Sequence, residues 1–94
     1  MAEEGGFKGK SMKAVAVDVA EGFVTVNPLF LKKFDKDTAK NLFEHLNKAM
    51  TAVRNEKVEY SNHVALRTRN MKLQRMHNAL IVLRNYARER RIPL

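Results

Sequence analysis

Ninety-four residues bound the chain to a single domain, which on folding buries only a little over roughly 60% of its unfolded surface. Apolar residues make up 45%, enough for a core, and no run approaches the ~18 consecutive apolar residues of a membrane span. The lack of cysteine excludes a disulfide framework and fits a reducing, cytoplasmic setting, while a net charge of +8 calls for an anionic partner.

Residues 1–13 carry Gly5, Gly6 and Gly9, mixed charge and one Phe. They read as a flexible tail ahead of one small domain over 14–94. Residues 14–26 are the one β-like stretch. Val15, Val17 and Val19 alternate with Ala16 and Asp18, and Phe23-Val24-Thr25-Val26 returns after Ala20-Glu21-Gly22. Gly22 tolerates positive φ, so a short β-hairpin or extended segment is expected.

Residues 27–60 form the first helical region. Asn27-Pro28 supplies an N-cap and a first-turn proline for one short turn. Asp35 and Asp37 then place carboxylates where a helix start favours them. From there Ala39, Phe43, Leu46, Met50 and Val53 recur at helical spacing, widened by Leu42 and Ala49, so an amphipathic helix is expected over 35–59.

Past Tyr60 this stripe loses register. A fresh phase, Leu66, Leu73, Met76, Leu80, Leu83 and Ala87, fits instead. The slip predicts a turn at Ser61-Asn62-His63 and a second helix over 62–90, rather than one continuous helix with a stutter. This second, basic region spans 61–94. Val64, Met71, Val82 and Tyr86 make another apolar face, more than one helix can cover. The hairpin and the turn after Asn27 must fill it, or another copy of the chain must. The fold expected is therefore mainly α: an antiparallel helical hairpin, with the short N-terminal β-hairpin, dimerising into a four-helix bundle.

Chemistry is sparse along the chain. His45, His63 and His77 share no i, i+3 or i, i+4 relation, so no metal site is expected. Ser11 and Ser61 lack any nucleophile motif, and Gly5-Gly6 with Gly9-Lys10-Ser11 is too short for a phosphate loop. No catalytic residues and no cofactor are expected, so the chain reads as a non-enzyme.

Charge is the distinguishing feature. Residues 1–60 hold ten Lys/Arg against nine Asp/Glu, whereas residues 61–94 hold eight against Glu89 alone. The eight are Arg67, Arg69, Lys72, Arg75, Arg84, Arg88, Arg90 and Arg91. Arg84, Arg88 and Arg91 form a stripe beside the leucine seam, Arg69 and Lys72 lie nearer the seam, and Arg67 and Arg75 fall on another side. Arginine's planar fork suits bidentate contact with phosphate or carboxylate. The reading is a binding protein that engages nucleic acid through this arm, with Asn62, Asn70, Gln74, Asn78 and Asn85 as hydrogen-bonding partners and Tyr86 as the one stacking residue. The alternative is an adaptor, chaperone or assembly subunit docking an acidic protein surface. A membrane surface fits poorly, because the cations are not confined opposite the apolar face.

Overall fold

Ser11 opens the first element of the computed structural model, which describes residues 11–94. Its hydroxyl oxygen accepts the Ala14 N–H at 3.1 Å and starts helix α1, Met12–Glu21. The β-hairpin expected over 14–26 is replaced by this helix, and no strand forms among the described residues. The valines that alternate also carry helical spacing. Met12, Val15, Ala16, Val19 and Ala20 form one buried stripe, and Val17, the odd member, is 49% exposed. Burying that stripe outweighs the preference of β-branched residues for strands.

Gly22 takes the positive φ that its place in the sequence suggested, 86°, but uses it to end a helix. Its N–H bonds the Val19 carbonyl at 3.1 Å and the Phe23 N–H bonds that of Asp18 at 2.8 Å. This is a Schellman C-cap. Residues 24–27 then run without helix, with Val26 buried. The tail boundary moves too: Ser11–Lys13 belong to the helix start, and the remainder of the expected tail, residues 1–10, lies outside the described residues.

The later elements follow their caps. Asn27 Oδ1 accepts the Phe30 N–H at 2.8 Å to begin the one-turn helix α2, Pro28–Leu31. Asp35 Oδ1 accepts the Thr38 N–H at 2.8 Å to begin α3, Lys36–Arg54. The Thr38 N–H, helped by the Thr38 hydroxyl, holds the Asp35 carboxyl below its ordinary 3.8. The stability this cap adds is present above the ordinary value and is lost as pH falls through the lowered one. α3 buries Thr38, Ala39, Leu42, Leu46, Met50 and Val53 and stops at Asn55, short of the expected 59. Asn62 Oδ1 accepts the Ala65 N–H at 3.0 Å to begin α4, His63–Arg90, so the junction is a turn and not a stutter.

α1 packs on both α3 and α4, α3 packs on α4, and α2 packs on α4. Arg69 of α4 reaches Arg54 of α3 while Arg84 lies over Phe43, so these two helices run antiparallel. The expected leucine seam is the core of α4: Met76, Leu80, Leu83 and Ala87 are buried, with Leu73 packed against them. The second apolar face divides. Tyr86 is buried and Val82 packs on the core, whereas Val64 and Met71 are 76% and 46% exposed. α1 covers the side of the α3–α4 core that the expected β-hairpin was to fill.

Leu83→Ala should destabilise the fold by about 2–5 kcal/mol, the range for a fully buried leucine. Val64→Ala should stay within about 0.5 kcal/mol, because the side chain is largely in water already. Urea titrations of the two variants, followed by circular dichroism, make the comparison.

Candidate nucleic-acid interface

The eight cations of α4 separate by what they touch. Near the start of the helix, Arg69, Lys72 and Arg75 are held by the fold. Arg75 Nη1 donates to the Ala20 carbonyl at 3.0 Å, in the last turn of α1. Lys72 Nζ lies 3.5 Å from Glu21 Oε2, on the last residue of the same helix. Arg69 Nη2 donates to the Arg54 carbonyl at 2.8 Å, at the end of α3. α1 and α3 therefore both end against residues 69–75 of α4. Each cation meets a helix C-terminus, where the aligned peptide dipoles leave partial negative charge. Gly22 makes room for this: a Cβ there would stand 3.0 Å from Arg75 Cζ and 3.2 Å from Nε.

Arg84, Arg88, Arg90 and Arg91 are exposed at the other end of α4. Arg84 Cζ lies 5.6 Å from the Phe43 ring centroid and Arg90 Cζ lies 4.9 Å from that of Tyr86. A guanidinium resting on a ring keeps the N–H groups along its edge available for an anion. Arg88 Nη2 donates to Asn85 Oδ1. Arg91 ends the helix in the left-handed region at φ 58°, with its N–H on the Arg88 carbonyl at 3.3 Å and the Ile92 N–H on that of Ala87 at 2.8 Å. Arg67 is exposed near the opposite end of the helix, away from this group.

Antiparallel pairing brings further cations to the arginine end. Lys36 and Lys40 lie in the first turns of α3, Lys32 and Lys33 just after α2, and all four are exposed. Asp35, Asp37, Glu44 and Glu89 share this end, the first of them engaged as a cap. The lysines were legible only through the helical hairpin, since in sequence they lie in the nearly neutral part of the chain.

The polar partners read from the sequence are partly occupied. Asn62 caps α4, Asn70 accepts from Arg69 Nη1 at 3.4 Å, and Asn85 accepts from Arg88. Gln74 and Asn78 are exposed. Tyr86 corrects the sequence reading: it is 7% exposed and carries Arg90 on its ring, so it cannot stack a base. Among the described residues, no group of three or more His, Cys, Asp or Glu is placed to hold a metal ion. No helix among them is long and apolar enough to cross a membrane.

Arg75→Ala should cost about 1–3 kcal/mol, as for loss of a charged hydrogen bond to a partly buried carbonyl, whereas Arg88→Ala should change stability by less than about 0.5 kcal/mol. Gly22→Ala should cost about 1–2 kcal/mol through its left-handed φ alone. Thermal melts of the three variants rank them. Compared with protein-family models, with curated proteins and with solved structures, the chain matches none significantly.

Proposed function

We propose that the chain is a non-enzymatic nucleic-acid-binding protein that grips the phosphate backbone with the C-terminal end of α4. The observation that carries this reading is the contrast along one helix. Three cations are consumed by the ends of α1 and α3, while Arg84, Arg88, Arg90 and Arg91 point to solvent, two of them resting on aromatic rings. Favourable placement at the C-terminus of α4 accounts for Arg88, Arg90 and Arg91. It does not account for Arg84, more than a turn earlier. Lys32, Lys33, Lys36 and Lys40 at the same end offset Asp35, Asp37, Glu44 and Glu89, so the arginines carry the net positive charge there.

With Tyr86 buried, α4 offers no exposed Phe, Tyr or Trp on which bases could stack. Binding is then governed by phosphate neutralisation, with weak sequence preference and strong salt dependence. Arg84 to Arg91 spans about 10 Å of helix at 1.5 Å per residue, long enough to follow several phosphates of one strand.

Four engaged arginines should give a slope of log K against log salt of about −3.6 on duplex DNA. Replacing Arg84, Arg88 and Arg91 together by Gln should flatten it by up to about three units with helicity retained. Lys48→Gln, on the part of α3 away from this end, should leave it unchanged. Arg91→Gly separates stability from binding: relief of the left-handed strain should raise stability by about 1 kcal/mol, while loss of one charge should reduce the slope by about 0.9. Fluorescence anisotropy with duplex DNA, single-stranded DNA and RNA at several salt concentrations provides the measurement. No binding to any of the three at low salt would refute the proposal.

A further inference from the structure

A second surface lies between α1 and α3, apart from the arginine end. It is a half-open groove of about 540 Å³, within the range of ligand-binding clefts. Its floor is Ala16, Val17 and Ala20 from α1 with Ala49, Ala52 and Val53 from α3. Four of these six are alanines, so a third helix could approach both backbones closely. Val17 and Ala52 are exposed apolar residues on helices whose other outward positions are mostly polar.

The rim decides the occupant. Lys13 and Lys48 flank the groove, and Glu21, the one carboxylate among its lining residues, already pairs with Lys72. A second copy joined through this same face would set Lys13 and Lys48 against their own counterparts. The chain's exposed apolar residues on α4, Val64, Met71 and Ile81, stand among Arg67, Lys72 and Arg84, so they would bring more positive charge. Neither of these two arrangements is complementary, and the exposed apolar residues Phe23, Leu29 and Tyr60 stand outside any helix long enough to fill the groove. Phosphate finds no match in an apolar floor. An alkyl chain gains most from full enclosure, which a half-open trough does not give. A helix with a polar outer face suits it better.

We infer that this groove docks an amphipathic helix of a partner protein, its apolar seam on the alanine and valine floor and its acidic flanks against Lys13 and Lys48. This is the helix-in-groove mode, with charge setting the choice of partner.

The test uses the full chain and a synthetic peptide of about four helical turns, with Leu and Ala at i, i+3, i+4 and i+7 and Glu on both flanks. Titration followed by amide NMR should show saturable shifts at Val17, Ala20 and Ala52. Val17→Glu combined with Ala52→Glu, both at exposed positions, should weaken binding by about tenfold or more while the thermal melt stays close to the parent. Lys13→Glu with Lys48→Glu should weaken the Glu-flanked peptide and favour a Lys-flanked one. The triple substitution of Arg84, Arg88 and Arg91 by Gln should leave peptide binding unchanged, which keeps this site distinct from the phosphate-binding end. Equal binding of the Glu- and Lys-flanked peptides, or no saturable shift with either, would overturn the inference. Dodecanoate shifting the same amides where the peptide does not would also overturn it, giving the groove to a free anionic amphiphile.

Discussion

Two helix C-termini converge on one stretch of α4, and that stretch must be cationic for them to do so. α1 and α3 both end there, so their unsatisfied carbonyls and partial negative charges gather at the same end of the bundle. Arg69, Lys72 and Arg75, spaced by three residues, project from successive turns of α4 into that end. Each such contact is worth about 0.3–1 kcal/mol at an exposed helix end and up to ~2 kcal/mol where it is partly buried. Gly22 completes the arrangement twice over, by its left-handed φ and by lacking the Cβ that would press on Arg75. The junction fixes where α1 ends on α4, while the buried stripe Met12, Val15, Ala16, Val19 and Ala20 holds the helix over the core.

The same junction changes how the charge of the chain is read. A sequence with eight cations and one carboxylate in its last third suggests a uniformly basic arm. In the fold, the part of the arm beside α1 and the end of α3 is tied down by local partners: Lys72 by the Glu21 carboxylate, Arg69 and Arg75 by backbone carbonyls. What remains facing solvent is concentrated beyond residue 83, where α4 meets α2 and the start of α3. Arginine suits both ends for different reasons. At the junction Arg75 reaches a carbonyl through Nη1 while its guanidinium packs by Gly22. At the far end Arg84 and Arg90 rest over aromatic rings and keep N–H groups for solvent or an anion.

Legibility in the sequence followed the caps. Asn27 announces α2 as an N-cap, Asp35 marks the start of α3 as one of two carboxylates suited to a helix N-terminus, and Asn62 lies in the expected turn. In the structure each accepts from the backbone N–H three residues on. The phase slip after Tyr60 located the start of α4, whose leucine seam is buried, but not the end of α3, since the connection runs over residues 55–62. α1 was misread because Val15, Val17 and Val19 satisfy a two-residue period, while Met12, Val15, Ala16, Val19 and Ala20 satisfy 3.6. In a segment of ten residues both patterns fit. Ser11 before the stripe and Gly22 after it were the deciding signals, and both also suit a loop and a hairpin turn. The fates of Arg69 and Arg75 had no local signal. Their partners lie 15 and 55 residues away, so only the tertiary arrangement separates them from Arg84 and Arg88. Tyr86 was misassigned for the same reason, being on the face that the fold covers.

Helix length sets what is left uncovered. α4 has 28 residues and is about 42 Å long at 1.5 Å per residue, close to the 44 Å long axis of the molecule. α1, with 10 residues, covers about 15 Å of it, and the one-turn α2 adds little more. The N-terminal turns of α4 therefore project past α1, which is why Val64 is in water although it belongs to an apolar face. Its exposure follows from a short neighbour and calls for no partner. Val17 and Ala52 differ in this respect. They lie where α1 and α3 run side by side, in a groove that both helices wall and lysines flank, so their exposure cannot be traced to one helix outrunning another. The distinction rests on geometry and not on degree of exposure, since Val64 is the more exposed of the two valines.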